Sequence, residues 1–434
     1  MTEITTLLTC LHPLLGSSHY RQLIIVSEAL LAMTGRITML GISRWTGKGG
    51  SYRTVQRFFM GTLKWDVLNW TLIQLSLSAQ SVILVAGDAT TITKSGKETH
   101  GLGRFFSSIY SRAVPGIAFQ TLSLIDVDAR SSWPLLMEQM LPKAKPKAEE
   151  ASVKKPKRGR GRPKGSKNKN HRDVPLNAEM TQVKALLKKL LKLTGDSLQL
   201  VYFVYDGAFG NNAAVQMTRQ VGLHLISKLR NNSALYFKYN GAYSGKGRRR
   251  TYGKRVDYDN LPADNLTSDK TKKQVRTRIY QLEVMHKRFA DTLKVVILLK
   301  ENQKTGKKAR VILFSTDLDL EWEKLVDYYR LRFQIEFNFR DAKQHWGLED
   351  FMVIKERAVF NAANLSLFMV NVSQAMLATS EGKSILDLKA RYHGLLYAQK
   401  IFKILPENTK PINIMQLFDK IPVLGLIHEE KLAA

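Results

Sequence analysis

A chain of 434 residues, 44% of them hydrophobic, is long enough for two or three domains with proper cores, and its apolar content excludes wholesale disorder. Lysine and arginine outnumber acids 67 to 37, a formal charge of +30 that points to a polyanionic partner, nucleic acid ahead of an anionic membrane surface. No apolar run approaches the roughly 20 residues of a spanning helix, the opening MTEITTLLTC makes a poor signal peptide, and the single cysteine, Cys10, rules out an intrachain disulfide and argues against a cysteine-based zinc site. A reducing cytoplasm fits that count.

Residues 1–80 read as a helical domain. His19 to Met33 carries apolar residues at helical spacing, broken by Gly35, and 37–45 makes a short second helix. Gly47-Lys48-Gly49-Gly50 is a turn, and Ser51 is placed to cap a helix over 52–60. A helix, a glycine turn and a helix bearing Arg53, Gln56 and Arg57 have the outline of a helix-turn-helix, whose second helix would enter a major groove. Plain helical packing is the competing reading. Trp65 and Trp70 are expected in the core.

The run Ser81-Val-Ile-Leu-Val-Ala-Gly-Asp88 reads as a central strand covered on both faces, ending at Gly87-Asp88. Asp88 then sits at a carboxyl end, where open α/β sheets place their chemistry, although a lone aspartate there is more often a turn residue. Residues 101–110 suggest a turn and strand, and 116–128 another strand. From 141 to 173 the chain holds nine lysines and four arginines against three acids and no Phe, Trp or Tyr, so it cannot bury a core and reads as a disordered insertion. Its centre, Arg158-Gly-Arg160-Gly-Arg162-Pro, resembles an AT-hook, in which arginines seek the negative potential of a narrow minor groove. A solvated basic linker touching phosphates without preference is the alternative.

A lysine-rich amphipathic helix over 179–193 closes at Gly195. Leu198 to Tyr205 then repeats the earlier pattern, an apolar strand followed by Asp206-Gly207. Another strand follows at 222–230. Residues 231–290, rich in Tyr, Gly, Lys and Arg, read as strands and loops in which Tyr243, Tyr252 and Tyr258 are candidates for base stacking. Strand-like runs return at 294–300 and 310–315.

Residues 328–343, YYRLRFQIEFNFRDAK, hold no Gly or Pro and read as one continuous helix. Tyr329, Arg332, Glu336 and Lys343 are spaced three, seven and fourteen residues from the first, which at about 100° per residue gathers them within roughly 60° of one another. Taken alone, such a face is most often a solvated one with intrahelical ion pairs. The spacing Tyr-x2-Arg-x3-Glu-x6-Lys, however, resembles the YREK signature of bacterial DDE transposases of the superfamily of insertion sequence four. Asp88, Asp206 with its Asp-Gly-x-Phe run, and Lys343-Gln344 followed by Gly347-Leu348 and Phe351 resemble that family's motifs in the same order. Residues 356–420 read as helical.

The resemblance implies an α/β fold: a ribonuclease-H-like catalytic core interrupted by a mostly β insertion, with helical N- and C-terminal regions. The implied segments are 1–80 for a DNA-binding domain and 81–230 for the first part of the core, within which 141–173 is the basic insertion. The β insertion would span 231–290, the second part of the core 291–345 and the helical C-terminal region 346–434. Asp88, Asp206 and Glu336 would be catalytic and would hold two Mg2+ ions, with Mn2+ as a substitute; hard oxygen donors suit these ions. Tyr329, Arg332 and Lys343 would grip DNA near the scissile bond, with Arg160, Arg162, Arg53 and Arg57 as further DNA contacts. The implied activity is cut-and-paste transposition by a homodimer on double-stranded DNA, both transposon ends and target. It would take place in the bacterial cytoplasm at the nucleoid, with no membrane. A relic that binds DNA without cleaving it, and a nuclease that cleaves without joining, are the competing readings.

Overall fold

The computed structural model describes residues 2–46, 49–78, 80–107, 110–142, 172–243, 245, 247–378 and 383–404. Arg160 and Arg162 therefore lie outside the described residues, as does the helix expected beyond 404.

In chain order, the N-terminal helices are α1 (Thr2–Leu8), α2 (Ser17–Ala32), α3 (Met39–Trp45), α4 (Tyr52–Met60) and α5 (Trp65–Gln74). Four strands follow: β1 (Ile83–Thr93), β2 (Gly103–Ser107), β3 (Arg112–Asp126) and β4 (Ser131–Met140). Next come α6 (Ala178–Thr194), β5 (Tyr202–Val204), α7 (Asn212–Arg219), β6 (His224–Leu229), β7 (Leu235–Lys238) and β8 (Tyr252–Arg255). The chain continues through β9 (Leu266–Lys272), β10 (Val275–His286), β11 (Leu293–Asn302) and β12 (Lys308–Ser315). It ends on α8 (Trp322–Leu331), α9 (Gln334–His345), α10 (Glu356–Leu377) and α11 (Ile385–Ile404). This mixed α/β architecture with a large mixed sheet is consistent with a ribonuclease-H-like nuclease fold. No described helix is long and apolar enough to cross a membrane.

Two compact units divide these elements. The first comprises Met1–Ser81, Ala89–Leu141 and Gln334–Ala434, the second Val82–Asp88 and Pro142–Phe333. In the first, α10 is apolar nearly all round, with 15 of its 22 residues buried, as befits a helix enclosed on every side. Around it pack the N-terminal helices, Trp65 included, and α9. Trp70 is buried as well, as its sequence context led one to expect.

Several polar groups inside this unit have specific partners. Asn361 on α10 donates to the carbonyls of Phe59 and Gly61 at 2.8 and 2.9 Å and accepts from Trp65 Nε1 at 2.8 Å. It thereby ties the end of α4 and the start of α5 to the central helix. Asn371 donates to Asn69 Oδ1 and to the Pro134 carbonyl, reaching β4. Ser51 caps α4 as its sequence context predicts, accepting from Thr54 N, and the buried side of that helix is Val55, Phe58 and Phe59.

In the second unit, β1 pairs parallel with β5 and β5 parallel with β6, after which the order runs antiparallel through β12, β11 and β10. Leu84, Val85 and Ala86 have no exposed surface, which is the burial a central parallel strand requires. Strand β9 and the β7–β8 pair both attach to β10. Strand β10 lies along β11 through ten register pairs. The tract expected as an insertion thus ends in a long strand of the same ladder as its flanks.

Three local expectations are corrected. Strand β1 does not stop at Asp88 but runs on to Thr93, where pairing with β3 extends it. This second half lies in the first unit against β3, where a side chain at Gly116 would strike the Ile92 carbonyl. Strand β5 is only three residues long, because a short ladder on each side is all it pairs with. The continuous helix expected over 328–343 breaks between Leu331 and Gln334: Phe333 N bonds the Arg330 carbonyl three residues back at 3.0 Å, so the last turn of α8 tightens and closes. The one-face argument therefore holds within each helix and not across the break.

Asn361→Ala should lower stability by about 2–3 kcal/mol, because it orphans a buried carbonyl, a part-buried one and a buried indole N–H at once. A shift of the urea midpoint with an unchanged denaturant slope is the expected readout.

Candidate active site

The two aspartates predicted from sequence are brought level by strand register. Val85 pairs with Phe203 and Ala86 with Val204, so two residues beyond the last paired residues Asp88 and Asp206 emerge on the same side, both with their charges acting on Tyr329. Gly87 makes this approach possible: a Cβ there would meet the Tyr205 ring at 2.7 Å and the Phe203 ring at 3.0 Å. Tyr205 in turn stacks on Phe209 at 3.7 Å between centroids, so the Asp-Gly-x-Phe run is the underside of the site. The Asp206 carboxylate accepts from Ala208 N at 2.9 Å, capping a short 3-10 turn (Gly207–Phe209), while its carbonyl accepts from Ser227 Oγ at 2.6 Å. A side chain at Gly210 would collide with the Lys228 carbonyl, so the turn is held flat against β6.

Two of the helical candidates belong to this same unit. Arg332, at the end of α8, donates from Nη1 to Asp88 Oδ2 at 3.1 Å, with side-chain exposures of 13% and 22%. Burial raises the Tyr329 phenol above its ordinary value. Arg332 pulls it down through charge and a hydrogen bond, while the Asp206 and Asp88 charges push it up. The phenol therefore stays protonated near neutral pH and is a donor. A phenol O–H, a guanidinium and two carboxylates are thus gathered at the carboxyl ends of β5 and the first half of β1.

The other two candidates belong to the first unit. Glu336 lies in the first turn of α9, where a helix N-terminus favours a carboxylate. On the same helix, Ile335, Asn338, Phe339 and Ala342 are buried. Asn338 donates to Ser132 Oγ at 2.8 Å and accepts from Gln374 Nε2 at 3.3 Å, which fixes α9 against β4 and α10. Lys343 donates from Nζ to the Thr91 carbonyl at 3.3 Å and pairs with Glu349 at 3.0 Å. Lys94, which the sequence did not single out, holds the same segment, donating to the carbonyls of Phe351 at 2.7 Å and Glu349 at 3.1 Å.

Oxygen donors such as Asp88, Asp206 and Glu336 suit Mg2+. Among the described residues, no three acidic, imidazole or thiol side chains are grouped so as to hold a metal ion. The positive charge beside Asp88 comes from Arg332.

Arg53 and Arg57 are exposed on α4, away from its buried side, and Arg53 bonds Gln56. Of the stacking candidates, Tyr258 is engaged: its hydroxyl donates to the Ser233 carbonyl at 2.6 Å and Arg310 covers its ring at 4.0 Å. Tyr243 is half exposed, and Tyr252 packs edge-on against Tyr236.

Gly87→Ala should cost about 1–3 kcal/mol by overpacking the Tyr205 ring, with a lowered Tm. Burial lowers the Lys94 ammonium from 10.5 to about 8, with Asp350 and Glu349 opposing and Arg36 assisting. Between these values the unfolded chain holds more protons than the folded one, so this group makes stability rise with pH across that window. Lys94→Met should flatten that rise in urea midpoints taken from pH ~8 to ~10.

The family model described as DDE superfamily endonuclease matches residues 10–288. That stretch contains Asp88 and Asp206 and ends before Tyr329, Arg332, Glu336 and Lys343. No curated protein matches the chain.

Proposed function

The chain belongs to the DDE superfamily of endonucleases, and within it we propose a cut-and-paste DNA transposase that cleaves the terminal inverted repeats of its own element and joins the 3′ ends to target DNA. Family membership makes DNA the substrate and a divalent metal, generally Mg2+, the cofactor. The observation that carries the finer reading is the level placement of Asp88 and Asp206, with Arg332 and Tyr329 beside them.

In this reading Asp88, Asp206 and Glu336 hold the metal. When bound, two Mg2+ ions supply activation of the attacking water or 3′-hydroxyl and stabilisation of the leaving oxygen. With Asp88 engaged by a metal ion, Arg332 would turn its fork to a phosphate, a bidentate contact that lysine cannot copy. Tyr329, kept protonated by burial, donates to a phosphate oxygen. Lys343, anchored to the Thr91 carbonyl, presents its charge close to β1. The exposed Arg53 and Arg57 on α4 contact the repeats, and the basic segment with Arg160 and Arg162 adds minor-groove or phosphate contacts. The working form on DNA is a homodimer.

The test incubates a duplex bearing the element's own terminal repeats with the protein, Mg2+ and a target plasmid. Wild type should cleave and join. Asp88→Asn, Asp206→Asn and Glu336→Gln should each lose more than ~100-fold, beyond what removing a group that only orients a metal ligand costs. Cleavage without joined products would make the protein a nuclease. Binding without cleavage in every sample would make it a DNA-binding relic.

A further inference from the structure

The ends of the β9–β10 and β11–β12 hairpins carry a charge asymmetry that the site above does not use. Residues 266–278 and 299–309 hold seven lysines and two arginines against two acids, Asp269 and Glu301. Both acids point to one face. There Arg276 pairs with Asp269 at 2.6 Å and Lys308 with Glu301 at 3.7 Å, and the register sets Arg278 opposite Asp269 and Arg276 opposite Glu301. On the other face Thr277 lies between Lys270 and Lys300, and Lys272 stands two residues further out opposite Val275. All three of these lysines are exposed. One face of the ribbon mixes its cations with both acids, while the charged residues of the other, Lys270, Lys272 and Lys300, are all cations.

The turn at the tip keeps another lysine at a conformational cost. Lys273 and Gln274 have φ of 48° and 61°, the geometry of a type I′ hairpin turn that Asn-Gly adopts without strain. The neighbouring turn is tied to it by Gln303 N donating to the Gln274 carbonyl at 2.8 Å, and it exposes Lys304 and Lys307.

Register also says where this face lies. Carried two residues on, the β5–β6 pairing sets Asp206 level with Lys228, which pairs with Leu313, which pairs with Val296. Lys300 is four residues beyond Val296 on β11, past the carboxyl end of β5, so about 13 Å further along the strands and three strand spacings, about 14 Å, to the side. Lys300 is thus roughly 20 Å from Asp206 at the same pole of the sheet, and Lys270 and Lys272, two strands farther out, roughly 27–31 Å, a span of about six to nine base pairs of duplex at ~3.4 Å each.

We propose that the face of Lys270, Lys272 and Lys300, with Lys273 at its tip, is a phosphate-backbone contact for duplex DNA that lies across the carboxylate site. It rests on the reading of this chain as a DNA-cleaving enzyme. It is a contact to the backbone rather than to base edges, because exposed ammonium groups act as point charges.

The test measures binding of a terminal-repeat duplex and a random duplex across a salt series. It compares wild type, the triple variant Lys270→Gln/Lys272→Gln/Lys300→Gln, and a charge-matched triple on α6, Lys188→Gln/Lys189→Gln/Lys192→Gln. The hairpin triple should lower the slope of log Kd against log salt by about 2–3, equally on both duplexes, and the α6 triple should not. The double variant Lys273→Asn/Gln274→Gly should melt higher yet lower the slope by about 1. Equal effects of the two triples, or none from the hairpin triple, would overturn the assignment while leaving the DNA reading intact. A wild type with no salt-dependent duplex binding would instead sink the reading on which it rests.

Discussion

The parallel register of β1 against β5 is the constraint from which the candidate site follows. Two apolar strands of unlike length must lie side by side for both Asp88 and Asp206 to emerge level, and they do so only because Gly87 leaves room for the Tyr205 ring. The stack of Tyr205 on Phe209 then fills the floor below the carboxylates. A glycine before one aspartate and a glycine-x-phenylalanine after the other are therefore parts of one packing arrangement, contributed from positions more than a hundred residues apart.

Electrostatics completes what packing begins. Two neighbouring carboxylates repel, and that repulsion has to be met by cations or by protonation. Arg332 meets part of it at Asp88, and Tyr329 stays protonated beside both acids. The same argument explains the rest of the chain's charge. A net +30 is a cost in self-repulsion for a folded protein unless a polyanion is bound, and the basic residues are correspondingly distributed over α4, the 141–173 segment and the hairpin ends rather than neutralised in place.

The first unit solves a different problem. An α10 buried on nearly all sides leaves its polar side chains no access to water, so Asn361, Asn364 and Asn371 bond the carbonyls of surrounding segments. These bonds give the helix one rotational setting. Because α9 is fixed to the same framework through Asn338, the setting passes to the first turn that bears Glu336.

Much of this was legible in the sequence. The apolar run ending in Gly87-Asp88, its repeat before Asp206, and the Ser51 cap of α4 are local signals whose physics is decided within a few residues, and each yields an element of the expected kind, although β1 runs on past Asp88 and β5 is short. The Tyr329, Arg332, Glu336 and Lys343 spacing was likewise readable as a motif, but the continuous helix inferred from it was not found. A break at Arg332 and Phe333 involves no Gly or Pro and so leaves no local trace. Tertiary structure alone decided that β1 continues past Asp88, since pairing with β3 is what extends it. It alone decided that β10 lies along β11, that Lys94 and Lys343 clasp the segment after α9, and that the lysines of two hairpins share one bare face. Periodicity tells which residues of a strand share a side. Only register across partners distant in the chain tells which charges on that side stand together.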